Sequence, residues 1–183
     1  KAGLAAELTP AEEFSPCASL ARSIMYQQLS GKAAATIHGR VLARLPGGVV
    51  TAEGLLGLSI DDLRSCGVSQ NKAVALHDLA HKTSAGVVPP FAVLAGLPDD
   101  EIIARLTQVR GIGRWTVEML LMFSLGRPDV LPVDDLGVRK GYQRTFGGEE
   151  LPTKAALSDH GERWRPYRSL ASWYLWRATE LPE

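Results

Sequence analysis

Two carboxylates stand where chemistry could be done. Asp134 and Asp135 follow Leu131-Pro132-Val133 and precede the run Leu136-Gly137-Val138-Arg139-Lys140. An aspartate immediately before a helix caps its first amides. The positive end of the helix dipole favours the charge of a carboxylate there. So fixed, the group can orient or deprotonate a water molecule or steady a developing cation. About twenty residues upstream lies Leu106-Thr107-Gln108-Val109-Arg110-Gly111-Ile112-Gly113-Arg114-Trp115-Thr116. Two glycines flank one apolar residue between two helical patterns, and glycine permits positive φ and close backbone approach. The helix starting near Gly113 presents its first N–H groups outward, which suits a phosphate. Each feature alone also suits something plainer: a helix cap for the aspartates, an ordinary αα-hairpin with a C-cap glycine for the other.

Further residues carry weaker signals. Ile24-Met25-Tyr26-Gln27-Gln28-Leu29 is an apolar helix ending in two amides, which must find partners at a turn. Trp164-Arg165-Pro166-Tyr167-Arg168-Ser169, with Trp173, Tyr174 and Trp176, is dense in aromatics. Trp173 and Trp176 are expected to pack the core. Arg168 could meet a phosphate or pair with an acid. His77 and His81 are four apart on one predicted helix, but a third metal ligand is missing. Cys17 and Cys66 form no Cys-x-x-Cys pair, which excludes a disulfide framework and a four-cysteine iron–sulfur cluster. Both are expected as buried thiols.

The elements that must position these residues read as helices. Apolar spacing predicts two over 18–45, interrupted near Ser30-Gly31. It predicts a short helix over 55–65, with its cap region at Ser59 to Asp62, and another over 71–84. A helix opens at Pro98-Asp99-Asp100, and others cover 115–125, 134–146 and 153–178. Period-two alternation is almost absent, so no sheet is expected. A chain of 183 residues, 45% hydrophobic, can bury a real core in one or two small domains. No apolar run reaches the ~20 residues that span a bilayer, so no membrane partner is expected. Net charge is zero, which counts against a nucleic-acid ligand unless backbone amides and a few local cations do the work.

Several of these segments, in this order, resemble the helix-hairpin-helix DNA glycosylase superfamily. They are the Gln27-Gln28 turn, the Gly111-Ile112-Gly113-Arg114-Trp115-Thr116 hairpin, and Pro132-Val133-Asp134-Asp135 with the closing Trp164 to Ser169 segment. The hairpin looks like the version in 3-methyladenine DNA glycosylase II. The resemblance implies an all-α fold with two helical subdomains flanking a cleft, in one core over 1–183. One subdomain would cover about 30–125 with the hairpin; the N- and C-terminal helices would form the second. Larger relatives carry an N-terminal β-rich domain, and this chain looks like the compact version. By motif position, Gly111, Gly113 and Thr116 would bind a DNA phosphate. The carbonyls of Thr107, Val109 and Ile112 would hold a Na+ or K+ ion. Aligned on Val138 and Arg139, the catalytic aspartate falls on Asp135, with Asp134 its neighbour. Gln28, with Leu29 next in line, would be the wedge that fills the gap left by a flipped nucleotide. Trp115 and Tyr167 would line the base pocket.

The implied chemistry is hydrolysis of an N-glycosidic bond, in which positive charge builds on the sugar. A carboxylate ~4 Å away at an effective dielectric of ~20 contributes ~4 kcal/mol, roughly a thousandfold. That gain suits a base that already leaves well, such as a cationic alkylated purine. Family members that also cut the backbone carry a lysine at the position of Trp115, and an indole cannot form a Schiff base. The expectation is therefore a monofunctional 3-methyladenine-type glycosylase of base excision repair, needing no cofactor for catalysis. It would act as a monomer on damaged double-stranded DNA, in the cytoplasm on the nucleoid of a bacterium or in a eukaryotic nucleus. Two other readings stand beside it: a non-catalytic helix-hairpin-helix DNA-binding module, and a glycosylase for deaminated, oxidised or etheno bases.

Overall fold

The computed structural model describes residues 14–181. Eleven α-helices form among the described residues, and no strand. They are α1 (Pro16–Tyr26), α2 (Gly31–Leu42), α3 (Ala52–Leu56), α4 (Ile60–Ser65), α5 (Gln70–Ser84), α6 (Phe91–Leu94), α7 (Asp99–Leu106), α8 (Arg114–Phe123), α9 (Leu136–Phe146), α10 (Lys154–Gly161) and α11 (Arg168–Ala178). None is long and apolar enough to cross a membrane. The all-α expectation holds.

Side-chain caps set most of the boundaries. Ser15, Ser30, Thr51, Ser59 and Thr153 each accept a hydrogen bond from an amide in the first turn that follows, which satisfies a donor the helix leaves open. Ser59 and Asp62 form a reciprocal capping box. That box corrects the single helix expected over 55–65: α3 ends at Leu56 and α4 begins at Ile60. The span 153–178 is also divided. It breaks into α10, a 3-10 turn at Glu162–Trp164, and α11, because Pro166 offers no amide to a helix interior.

The described chain divides into two compact units at the Val117–Glu118 bond, inside α8. In the first unit α5 is the central helix, with α1, α3 and α4 packed on it. Its Ala73, Leu76, Leu79 and Ala80 are fully buried, the face the sequence spacing predicts. Each such leucine contributes ~1.5–3 kcal/mol of transfer free energy. Helix α1 belongs to this unit, whereas the N-terminal helices were expected with the C-terminal ones. Leu20, Ile24 and Met25 of α1 are buried, and α1 packs on α5. The parts of the expected 1–183 core at 1–13 and 182–183 lie outside the described residues.

The second unit is built on the contact of α9 with α11. Leu131, Val138, Leu157 and Leu175 form its core, with Val133, Tyr142, Trp164 and Trp176 packed against it. Gly141 sets how close the two helices come. A Cβ there would overlap the Leu175 carbonyl, so any larger residue forces α9 and α11 apart.

Candidate active site

Asp135 is the N-cap of α9. Its Oδ1 accepts hydrogen bonds from the Val138 amide and from the Trp176 indole Nε1, each at 2.8 Å. The first bond fixes the carboxylate to its own helix; the second fixes it to α11. The indole reaches Asp135 because residue 137 is glycine. A Cβ there would lie 2.8 Å from Trp176 Cδ1 and 3.0 Å from Nε1. The indole ring is stacked on Phe123, with centroids 5.8 Å apart and planes at 29°. Phe123 is 40% exposed and Leu136, next to the aspartate, 53% exposed. The half-buried carboxylate therefore sits in partly open apolar surroundings. Asp134 is placed differently: it is exposed and pairs with Lys154.

Tyr167, expected as a wall of the base pocket, precedes α11 and is 62% exposed. Trp176, which donates to Asp135, lies about 14 Å further along the same helix at 1.5 Å per residue. Arg168 pairs with an acid: its Nε donates to Asp129 Oδ1 at 2.7 Å and its Nη2 to Oδ2 at 3.1 Å. Arg165 Nη1 donates to the same carboxylate at 2.6 Å. The buried Ser169 hydroxyl donates to the Arg127 carbonyl at 2.6 Å and accepts from the Val130 amide at 3.0 Å. The Trp164 to Ser169 segment thus secures the 127–130 loop. Burial alone would raise the Asp129 carboxyl, but the hydrogen bonds and charges of Arg168 and Arg165 outweigh it and hold that carboxyl below the usual range.

The hairpin lies in the first unit. Gly111 has φ +80°, a conformation glycine adopts without steric cost, and the Ile112 amide donates to the Val109 carbonyl at 3.0 Å to close the turn. Ile112 is buried, which pins the tip to the core. Gly113 differs: a Cβ there would meet nothing within 4 Å, and no unusual φ applies to it. Neither strain nor internal packing demands glycine at 113, so the open space in front of it is available for a ligand to approach the backbone. Thr116 and the 47% exposed Trp115 occupy the first turn of α8, directly behind the hairpin.

The Gln27-Gln28 turn belongs to the same unit and touches the hairpin. Gln27 Nε2 donates to the Gly111 carbonyl at 2.8 Å. Gln28 is exposed and takes φ +56°; it is the one non-glycine residue with positive φ among the described residues. Leu29 is 40% exposed. The structure thus brings the expected wedge beside the expected phosphate site. The charge also falls usefully. Residues 14–117 carry ten Lys and Arg against seven Asp and Glu, whereas 118–181 carry nine of each. The zero net charge hides a cationic excess in the unit that holds the hairpin.

His77 and His81 make no metal site. Among the described residues no group of three or more His, Cys, Asp or Glu could hold a metal ion. His77 Nε2 bonds the Leu58 carbonyl at 2.8 Å instead. Cys17 and Cys66 are free and buried.

Residues 21–166 match the family described as HhH-GPD superfamily base excision DNA repair protein. The chain belongs to this superfamily. It is 40% identical over 173 residues to DNA-3-methyladenine glycosylase 1 of Schizosaccharomyces pombe, covering 94% of this chain and 76% of that protein. The solved structure of a 3-methyladenine DNA glycosylase from the same yeast, in complex with abasic DNA, superposes with a TM-score of 0.78 at 40% identity. That match covers 91% of this chain and 82% of the other. A DNA-3-methyladenine glycosidase from Bacillus halodurans superposes with a TM-score of 0.84 at 40% identity, covering 92% and 77%. The fold is therefore the helix-hairpin-helix glycosylase fold.

For an HhH-GPD protein, the sequence reading missed the partner of the aspartate, Trp176, and Phe123, which stacks on that indole. Trp176 was expected in the core, and it does pack there, but its N–H is spent on Asp135. Gly137 was the available signal, since a glycine in the first turn of a helix asks what comes close to it.

Proposed function

We propose that the chain is a monofunctional DNA glycosylase that hydrolyses the N-glycosidic bond of alkylated purines, of the 3-methyladenine type, in duplex DNA. The observation that carries this reading is the Asp135 carboxylate, held by Val138 and Trp176 at the head of α9. The names of the 40% identical relatives give the substrate class.

In this reading the hairpin amides near Gly111 and Gly113, with Thr116, hold a phosphate, and Gln28 fills the space of the extruded nucleotide. The carbonyls of Thr107, Val109 and Ile112 would hold a Na+ or K+ ion beside that phosphate. The residues fit it. Thr107 is the C-cap of α7, where carbonyls lack helical partners, and Val109 O keeps a second lone pair besides the one that Ile112 uses. When bound, such an ion adds positive charge next to an anion. Trp115 offers an indole face to a cationic base, worth ~0.5–2 kcal/mol; that small discrimination implies a broad lesion range. Asp135 steadies the sugar as the cationic base departs and orients the attacking water. Trp115 stands where a Schiff-base lysine would be needed, so the product is an intact abasic site. The protein would act as a monomer, on the nucleoid of a bacterium or in the nucleus of a eukaryote.

A panel of duplexes carrying 3-methyladenine, 7-methylguanine, ethenoadenine, hypoxanthine or 8-oxoguanine tests the proposal. Release of the methylated purines is expected to exceed that of neutral lesions, and the strand is expected to stay whole until treated with alkali. Strand nicking without alkali, or no release of any methylated purine, would contradict it.

A further inference from the structure

One helix holds both the wedge turn and the hairpin. Lys72, in the first turn of α5, sends its ammonium to the end of α1: Nζ donates to the Met25 carbonyl at 3.0 Å and to the Gln27 carbonyl at 2.6 Å. These two carbonyls flank the point where the chain leaves α1 and enters the left-handed conformation of Gln28. A non-glycine residue there is strained by about 1–2 kcal/mol, so something must hold it. A cation on the carbonyls at a helix C-terminus does so. Six residues along α5, Asp78 Oδ2 accepts from the Arg110 amide at 2.7 Å, and Lys82 pairs with the same carboxylate. Gln27 closes the loop by bonding Gly111. Beneath the turn, Met25, Ile37, Val68 and Leu29 line a small pocket of about 80 Å³. Leu29 is therefore the apolar foot of the turn and Gln28 its tip.

We propose that Lys72 is a positioning residue for nucleotide extrusion: it holds the 27–29 turn so that Gln28 is presented as the wedge, at an offset from the hairpin fixed by Gln27 and Asp78. The proposal rests on the glycosylase reading and extends it to residues that touch neither the base nor the phosphate. Wedge insertion then starts from a preset turn, and the strain at Gln28 is met in the free protein rather than on binding.

The test compares wild type, Lys72→Met, Gln28→Ala and the double variant in single-turnover release of 7-methylguanine. The lesion is paired with cytosine in one duplex and placed opposite a mismatched base in another. Extrusion is costly from a good pair and cheap from a mismatch, so only a wedge defect depends on the partner base. Lys72→Met is expected to slow release from the paired lesion about tenfold, with a much smaller effect opposite the mismatch. In the Gln28→Ala background it should add nothing further, because both changes remove one function. Gln27→Leu, which cuts the strut without touching α5, should show the same pattern and guards against a folding defect in Lys72→Met. Equal slowing on both duplexes, or a Lys72→Met effect that multiplies with that of Gln28→Ala, would overturn the proposal while leaving the glycosylase reading intact. A wild-type protein that releases no base from either duplex would instead overturn that reading, and this inference with it.

Discussion

Asp135→Asn is expected to slow base release about a thousandfold and to leave duplex binding within a few-fold of wild type. The magnitude is the Coulomb term: ~4 kcal/mol at ~4 Å and an effective dielectric of ~20, or roughly three powers of ten in rate. The fold should survive, because an asparagine oxygen can still accept from the Val138 amide and the Trp176 indole, the two bonds made by Asp135 Oδ1. Asparagine is also a good N-cap. Asp134→Asn is the matched control. It loses only an exposed pair with Lys154, worth ~0–1 kcal/mol, and should release bases at the wild-type rate. Single-turnover rates on a 7-methylguanine duplex, with affinity for an abasic duplex measured in parallel, separate the two aspartates. Comparable losses in both variants would contradict the assignment.

Trp176→Phe is expected to give the next largest loss, about ten- to a hundredfold in rate, with abasic-duplex affinity nearly unchanged. Phenylalanine keeps the stack on Phe123 and most of the packing against the core of the second unit. It removes the N–H that holds Asp135 Oδ1, so residue 135 remains a carboxylate but loses its tie to α11. Displacement of a reacting group by about 1 Å can cost a hundredfold. Gly137→Ala should reproduce the defect by another route, because its Cβ would press on the Trp176 ring. A merely structural role for Trp176 predicts a lower melting temperature with the per-molecule rate preserved. The account predicts a rate lost per folded molecule, whatever the shift in melting temperature. A Trp176→Phe rate within twofold of wild type would contradict it.

Local features of this molecule were legible because each is set within a few residues. The 3.6-residue spacing of Ala73, Leu76, Leu79 and Ala80 marks α5, and the two glycines of the hairpin mark a tight turn. An aspartate ahead of Leu136 marks a helix start. The α3–α4 break was legible as well, since Ser59 three residues before Asp62 is a capping box in the sequence; the apolar run through Leu58 masked it. The contacts that turn these elements into a site are different in kind. Trp176 lies 41 residues from Asp135, and Lys72 lies 45 residues from Gln27. No spacing rule connects residues so far apart; the packing of α11 on α9 and of α1 on α5 makes them neighbours.

The account depends on the carboxylate recognising positive charge on the sugar. Two abasic duplexes that differ in that charge alone test this most directly: one with a cationic pyrrolidine at the abasic position, the other with neutral tetrahydrofuran. Wild type is expected to bind the pyrrolidine duplex at least a hundredfold more tightly, as cation-mimicking analogues of such a transition state do, and Asp135→Asn to bind the two about equally. Equal binding of both duplexes by wild type, or an undiminished preference in Asp135→Asn, would contradict the claim.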